Sequence, residues 1–378
     1  MKKINISFLL LLFFFSCNRQ KDTVLTIIQP IIHVDQVSNE KFSISNIMDS
    51  YQLLPLETSK DCLIKEVNKI CCTDSLIFIL DRFGNNNALV FDWNGKYIRT
   101  IGSVGSGPQE YISLYDFCLD ETSEFLYFLC NKNAVYKYDY KGNLVEKLKL
   151  NFFAVKIEYN KNKLYFTGTE PNKNNLVVTD MTGQHILYEN FSNSVLGDHT
   201  RTLLHPFYKD TVNVFYQLYL SNCVYGIKSN NELYIKYKID FGDKEYIVDK
   251  ETKSYSDEQF KEIMSRKRSH IKYFVENKDY ALFLFFDENQ PCLGVYDITN
   301  GTTKSYYWLS NNLIDDFTGI QMFPIIEYTY KNKFIAVLNS FDIIEQRLAN
   351  KECFQSLNLS EDDNPILYIL NTKQNNPK

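Results

Sequence analysis

The chain has 378 residues, 44% hydrophobic and 15% aromatic, with 46 acidic against 41 basic side chains and a formal charge of −5. This apolar content allows a large core, and the mild acidity argues against general nucleic-acid binding, which needs a basic footprint. Glycine, at 14 residues, is too scarce for a low-complexity chain, whereas 27 Tyr and 28 Phe suit half-buried strands.

Lys2 and Lys3 precede an apolar run over residues 8–15 that is too short to span a bilayer. The run ends in Phe14-Phe15-Ser16-Cys17, a small residue directly before a single cysteine, and this resembles the lipobox of bacterial lipoproteins. A signal peptide over residues 1–16 is therefore expected, with Cys17 as the lipid attachment site of the mature chain. Loss of the two lysines takes the formal charge from −5 to −7. Residues 17–50 read as the lipidated cysteine, a polar tether and an extended arm, VLTIIQPIIHV. No other apolar run is long enough to cross a membrane.

YQLLPLET (51–58) is a strand whose Pro55 suggests an edge or bulge, and LIKEVNKICC (63–72) is another. From Ser75 onward a unit recurs in which two apolar strands are joined by a turn. Its copies are ALVFDWNGKYIRTI, AVYKYDYKGNLVEKLKL and LVVTDMTGQHILYEN. Asp92, Asp139 and Asp180 each precede a glycine (Gly95, Gly142, Gly183) by three residues, with spacings of 47 and 41. Asn94-Gly95 predicts a type I′ hairpin, and the periods are those of a propeller or solenoid. Degraded copies follow near Ser229, Asp297 and Asn371. The last copy, PILYILNTK, lacks an outer strand that YQLLPLET can supply, closing a ring. The expected fold is all-β: a six-bladed β-propeller with four-stranded blades over 51–373, followed by a tail at 374–378. Helices are predicted over 254–274 and 340–354 as insertions, the first carrying Arg266-Lys267-Arg268 on a solvated face.

The loop GSVGSGPQEY (102–111) joins two blades. It lacks the G-K-[ST] ending of a phosphate loop, so Gly105 and Gly107 are assigned to backbone freedom and Glu110 to anchoring turn amides. With Cys17, YQLLPLET, VFDWNGKYIRTIG and the terminal PILYI, this loop (Gly105, Gly107, Pro108, Glu110, Tyr111) resembles the six-bladed β-propeller lipoproteins of Bacteroidetes. That family is NHL-like in look and largely without assigned activity. The resemblance implies an outer-membrane lipoprotein, periplasmic or surface-facing, and brings no catalytic residues.

Chemistry is sparse. The cysteines after Cys17 show no C-x-x-C spacing and read as buried thiols. His33, His185, His199, His205 and His270 make no metal-ligand pattern, so no metal or cofactor is expected. Asp315-Asp316 and Asp362-Asp363 sit beside turns as solvated charge, and Tyr306-Tyr307-Trp308 offers sugar-stacking rings of which half belong to the core. The function expected is a non-catalytic, lipid-anchored binding module for a glycan, peptide or protein. The alternative is an envelope lyase or hydrolase acting on polysaccharide with its site in the central funnel. A structural subunit of an outer-membrane assembly is a third reading.

Overall fold

The computed structural model describes residues 31–168, 174–192, 203–210, 212–219, 221–246, 256–309, 312–321, 323–346, 348 and 351–373. Cys17, the signal segment, His199 and the tail at 374–378 lie outside these.

Six antiparallel four-stranded sheets make a six-bladed β-propeller. Blade 1 runs Lys69–Cys72, Leu76–Asp81, Asn87–Asp92 and Tyr97–Ile101 from the axis outward. Blade 2 is Leu114–Asp120, Phe125–Cys130, Ala134–Asp139 and Leu144–Lys149. Blade 3 is Lys156–Asn160, Lys163–Thr167, Asn174–Thr179 and Ile186–Ser192. Blade 4 is Phe207–Lys209, Val214–Gln217, Cys223–Ile227 and Leu233–Asp240. Blade 5 is Arg268–Glu276, Tyr280–Asp287, Gln290–Asp297 and Thr302–Tyr307. Blade 6 combines Ile326–Tyr330, Lys333–Leu338 and Ile366–Thr372 with the N-terminal Met48–Pro55, which pairs antiparallel from Pro55 against Ile366 to Met48 against Thr372. The predicted ring closure is thus present, with its strand starting three residues earlier than the sequence pattern suggested.

The second strands, such as LIFILD and FLYFLC, are buried almost throughout because both faces of a blade pack on neighbours. The core is accordingly divided into six clusters, one between each pair of adjacent blades. All eight cysteines after Cys17 are free thiols. Cys71 and Cys72, on opposite faces of one strand, enter different clusters.

Antiparallel order places the blade-to-blade and second-to-third-strand connections at one end of the propeller, here the loop face. The tight turns lie at the other end, the hairpin face. The turn at Asp92 is not type I′. Only Gly95 takes positive φ (79°), with Gly95 N bonding Asp92 O and a register shift at Val90/Phe91. That is a type I turn followed by a left-handed glycine, fixed by Asp92 Oδ1, which accepts from Asn94 N (2.8 Å) and Lys96 N (2.9 Å). Asp139 repeats the arrangement with Lys141 and Asn143.

Two helical expectations are corrected. The first insertion is helical only over Asp257–Met264, with Ser256 and Gln259 forming a capping box. From Arg268 the chain becomes the innermost strand of blade 5, because Ile271, Tyr273, Phe274 and Val275 are needed to fill it. The basic cluster is therefore divided: Arg266 stays solvated at the helix end and pairs with Glu262 (2.9 Å), whereas Arg268 is buried, ion-paired through Nε to Asp287 (3.3 Å), and donates to Val34 O (2.6 Å). That contact holds the N-terminal arm, whose Ile31–His33 adds a parallel strand to the outer edge of blade 4. The second insertion breaks into Ser340–Glu345 and Glu352–Gln355, each burying one large apolar residue, Ile343 and Phe354.

Candidate functional site

The innermost strands bring one or two ionisable residues each to the propeller axis. Lys69 of blade 1 pairs with Asp116 of blade 2 (Nζ–Oδ2 3.2 Å) and lies 4.0 Å from Glu158 of blade 3. Glu158 pairs with Lys209 of blade 4 (3.3 Å). The lysines also donate across the ring, Lys69 to Ile157 O (3.3 Å) and Lys209 to Leu119 O (2.9 Å) and Tyr159 O (3.0 Å). Burial pushes both ammonium groups down, but the facing carboxylates outweigh it and hold them above the ordinary lysine range. Asp116 and Glu158 are 1% and 6% exposed, so the paired charge is buried at the axis, with Asp116 Oδ1 left without a hydrogen bond among the described residues.

Toward the loop face lies a second set. His205, on the connection into blade 4, puts Nε2 3.9 Å from Glu327 Oε2 of blade 6 and rests its ring on Tyr328. Blades 4 and 6 are not neighbours, so this contact spans the mouth of the axis. Burial pushes the Glu327 carboxyl up to about 7, against the pull of Lys272. Burial, with Lys156 and Lys69 adding to it, holds the His205 imidazole well below its usual range. Lys156, the first residue of blade 3, is 8% exposed and has no hydrogen-bond or ion-pair partner among the described residues. Burial lowers its pKa, Asp116 opposes this, and Lys69 and Arg82 reinforce it.

Around this mouth the loop face exposes apolar side chains, among them Leu63, Phe83, Ile112, Phe153, Leu204 and Ile325. On the hairpin-face turns, among the described residues, Val212 alone does so among large apolar residues. The loops that carry them are tied down by asparagines. Asn86, at φ 54°, donates to Arg82 O and Leu114 O and accepts from Leu114 N. Asn131 accepts from Ile112 N and Ser113 N, and Asn364 accepts from Ile64 N while donating to Glu57 O and Cys62 O. Sequence reasoning missed these clamps and the axial lattice alike. The one local signal was an asparagine shortly before a third strand.

The 102–111 loop belongs to this machinery. Tyr111 is buried, and its hydroxyl donates to Asn86 O (2.8 Å). Glu110 Oε2 accepts from Gly107 N (2.7 Å). Gly105 and Gly107 do not take positive φ; a Cβ on Gly105 would lie 1.9 Å from Glu110 Oε2, so space rather than backbone freedom accounts for the glycine. Pro108 is exposed. The paired aspartates serve the fold: Asp315 is fully buried and accepts from Tyr368 Oη and Phe317 N, while Asp316 accepts from Ser45 N. Asp363 accepts from Ser360 N (2.7 Å) in its own turn. Tyr306 and Trp308 are core residues. His33 and His185 pair with Asp240 and Asp180 at exposed positions, apart from the axis. No cluster of three metal-ligating side chains occurs among the described residues.

A family model described as a domain of unknown function, DUF4934, matches residues 29–371. The chain belongs to the DUF4934 family. Its propeller is similar to the crystal structure of a Bacteroides fragilis NCTC 9343 protein that carries an exported-protein designation. That likeness has 19% identity and a TM-score of 0.75, and covers 91% of this chain and 100% of that one. A DUF4221 family member from Bacteroides vulgatus matches at 7% identity and a TM-score of 0.49, over 86% of this chain and 97% of that one. BamB from Moraxella catarrhalis matches at 11% identity and a TM-score of 0.42, over 69% of each chain. At these identities the first likeness is one of fold. No curated protein matches the chain.

Proposed function

We propose that this DUF4934 protein is an exported, lipid-anchored binding module of the outer membrane that seats its ligand on the loop face, at the mouth of the propeller axis. One observation carries the binding reading. The axis carries a paired-charge lattice from Lys69 to Lys209, while exposed apolar side chains lie on the loop face and, among the described residues, are nearly absent from the opposite turns. Contiguous exposed apolar surface is characteristic of recognition sites. The exported-protein designation of the B. fragilis structure and the apolar N-terminal run ending at Cys17 support the location.

The test is binding to a panel of neutral and acidic oligosaccharides and peptides. Ile112→Glu with Leu204→Glu is compared against Val212→Glu as the hairpin-face control. Binding lost in the first and kept in the second is expected; loss confined to Val212→Glu overturns the seat. Anchoring is checked by Cys17→Ala, which should release the protein from membranes and abolish fatty-acid labelling.

The His205–Glu327 pair favours a second reading, an envelope lyase or hydrolase acting on polysaccharide. A raised carboxyl beside a neutral imidazole is a competent acid–base pair. Turnover of polysaccharide that disappears in both His205→Gln and Glu327→Gln, with binding retained, would move the protein to that class.

A further inference from the structure

Three cations on the loop side of blades 1 to 3 have no carboxylate partner among the described residues. Arg82 lies on the second-to-third-strand loop of blade 1 and Lys132 on the equivalent loop of blade 2. Lys156 opens the innermost strand of blade 3. Arg82 sits over the Tyr115 ring with its guanidinium carbon 4.6 Å from the centroid, and Lys132 Nζ is 5.5 Å from the same centroid. One tyrosine on the innermost strand of blade 2 therefore gathers two charges from different blades. Among the described residues none of the three cations has an ion-pair partner, although Lys69 and Lys209 of the axial lattice are both paired.

Their positions are fixed by backbone contacts. Asn86 Nδ2 donates to Arg82 O (2.8 Å), and Asn86 is itself held by the Tyr111 hydroxyl. Ala154 N donates to Lys132 O (2.7 Å), which ties that loop to the connection leading into Lys156. The loops that carry Arg82 and Lys132 are thus held in place, which lowers the ordering a ligand must impose on them.

Lys156 is the decisive member. A lysine more than nine-tenths buried is ordinarily paired, because an isolated buried ammonium is costly. Of the nearby carboxylates, Glu158 is engaged by Lys69 and Lys209, and Asp116 is engaged through Oδ2 by Lys69 and Ile157 N. The buried Asp116 Oδ1 makes no hydrogen bond among the described residues, so Asp116 attracts Lys156 without contacting it. Glu327 is turned to His205 and is raised by burial, which weakens it as a counter-charge at neutral pH. Among the described residues no carboxylate contacts Lys156, which leaves its contact position for an anion from outside.

Two exposed rings flank the cations: Phe83, 5.2 Å from the Arg82 guanidinium carbon, and Phe153, three residues before Lys156. Exposed ring faces on the same loop face as the cations fit a chain that carries both C–H faces and anionic groups. We infer that the loop-face ligand is an acidic saccharide, of the uronic-acid or sulfated class. Its anionic groups would be bound by Arg82, Lys132 and Lys156 and its sugar rings seated against Phe83 and Phe153.

This inference rests on the loop-face binding reading, and the experiment separates the two. The full soluble chain from residue 18 is titrated with a galacturonate hexamer, a sulfated hexasaccharide, a neutral galactose hexamer and a glutamate hexapeptide. At least one acidic sugar is expected to bind with an affinity that falls with salt. The galactose hexamer should bind at least tenfold more weakly. Lys156→Met, and Arg82→Gln with Lys132→Gln, should each weaken the acidic sugar about tenfold or more, as loss of a charge-assisted contact does. Because Lys156 has no contacting partner among the described residues to strand, Lys156→Met should melt at or above the wild-type temperature, so lost binding cannot be ascribed to misfolding.

Equal binding of the neutral hexamer, preference for the glutamate peptide, or acidic binding untouched by these variants overturns the inference while leaving the loop-face seat standing. So does failure of both acidic hexamers alongside panel binding that is lost in Ile112→Glu with Leu204→Glu. Absence of loop-face binding to any member of the panel overturns both.

Discussion

Gly95 and Gly142 hold equivalent places in successive blades, each left-handed (φ 79° and 94°) at the end of an aspartate-fixed turn, yet they are not equally replaceable. A Cβ on Gly95 would lie 2.0 Å from Pro55 O, a backbone atom of the preceding blade that cannot swing aside. On Gly142 the nearest atom, Thr100 O, is 3.7 Å away, an ordinary contact. Gly142→Ala should therefore lose only the left-handed penalty, about 1–2 kcal/mol, and Gly95→Ala roughly 2–4 kcal/mol because the blade seam must also open. Urea midpoints of the two variants measure the difference, and equal losses would show that the seam yields freely. The Asp-x-x-Gly turns were legible in the sequence because their hydrogen bonds close within five residues. The asparagine clamps were not: Asn364 reaches Ile64, 300 residues away, and nothing in the residue's own neighbourhood reports such a partner.

Among elements, the innermost strands carry the most chemistry and are the hardest to read. Second strands announce themselves as continuous apolar runs, whereas an innermost strand mixes core residues with axial charge. That of blade 5 was masked by Ile263, Met264 and Ile271 falling at helical spacing. The axial lattice takes one charge from each of four strands, so no stretch of sequence contains it.

One consequence is a pH dependence that belongs to the innermost strand of blade 6. Burial raises Glu327 to about 7 from an ordinary 4.5, so between those values the folded protein holds a proton that the unfolded chain has released. Stability from this group is full below about 4.5 and falls as pH rises through 7. Glu327→Gln cannot ionise, so relative to wild type it should gain on the order of 1–3 kcal/mol between pH 5 and pH 8. His205 runs the other way: burial, Lys156 and Lys69 lower its pKa, so its contribution is present above the ordinary imidazole range and is lost as pH falls. Comparing variant with wild type at each pH isolates Glu327. A difference that stays flat from pH 5 to 8 would mean the carboxylate is already ionised in the fold.

For the whole molecule, closure of the ring is the feature on which the blades jointly depend, and it was readable. The last copy of the repeat presents a third strand without a fourth, and the first strand-like segment has no inner strands before it. The pairing they make joins residues more than 300 positions apart, Leu54 against Leu367 and Tyr51 against Leu370. Leu54 and Leu56 also enter the cluster between blades 6 and 1, so the strand closes a hydrogen-bonded edge and an apolar seam together. A chain beginning after Thr58 should keep the strands of blades 1 to 5 but leave Ile366–Thr372, a buried apolar strand, as an open edge. Such an edge pairs with other chains. The expected result in size-exclusion chromatography is a shift toward dimers and larger species relative to the chain from residue 18, with a lower and broader melting transition. Adding a peptide of residues 46–58 should reverse both effects by supplying the missing strand. If the shortened chain keeps the size and cooperativity of the longer one, the six seams hold the ring without this pairing and blade 6 is stable as three strands.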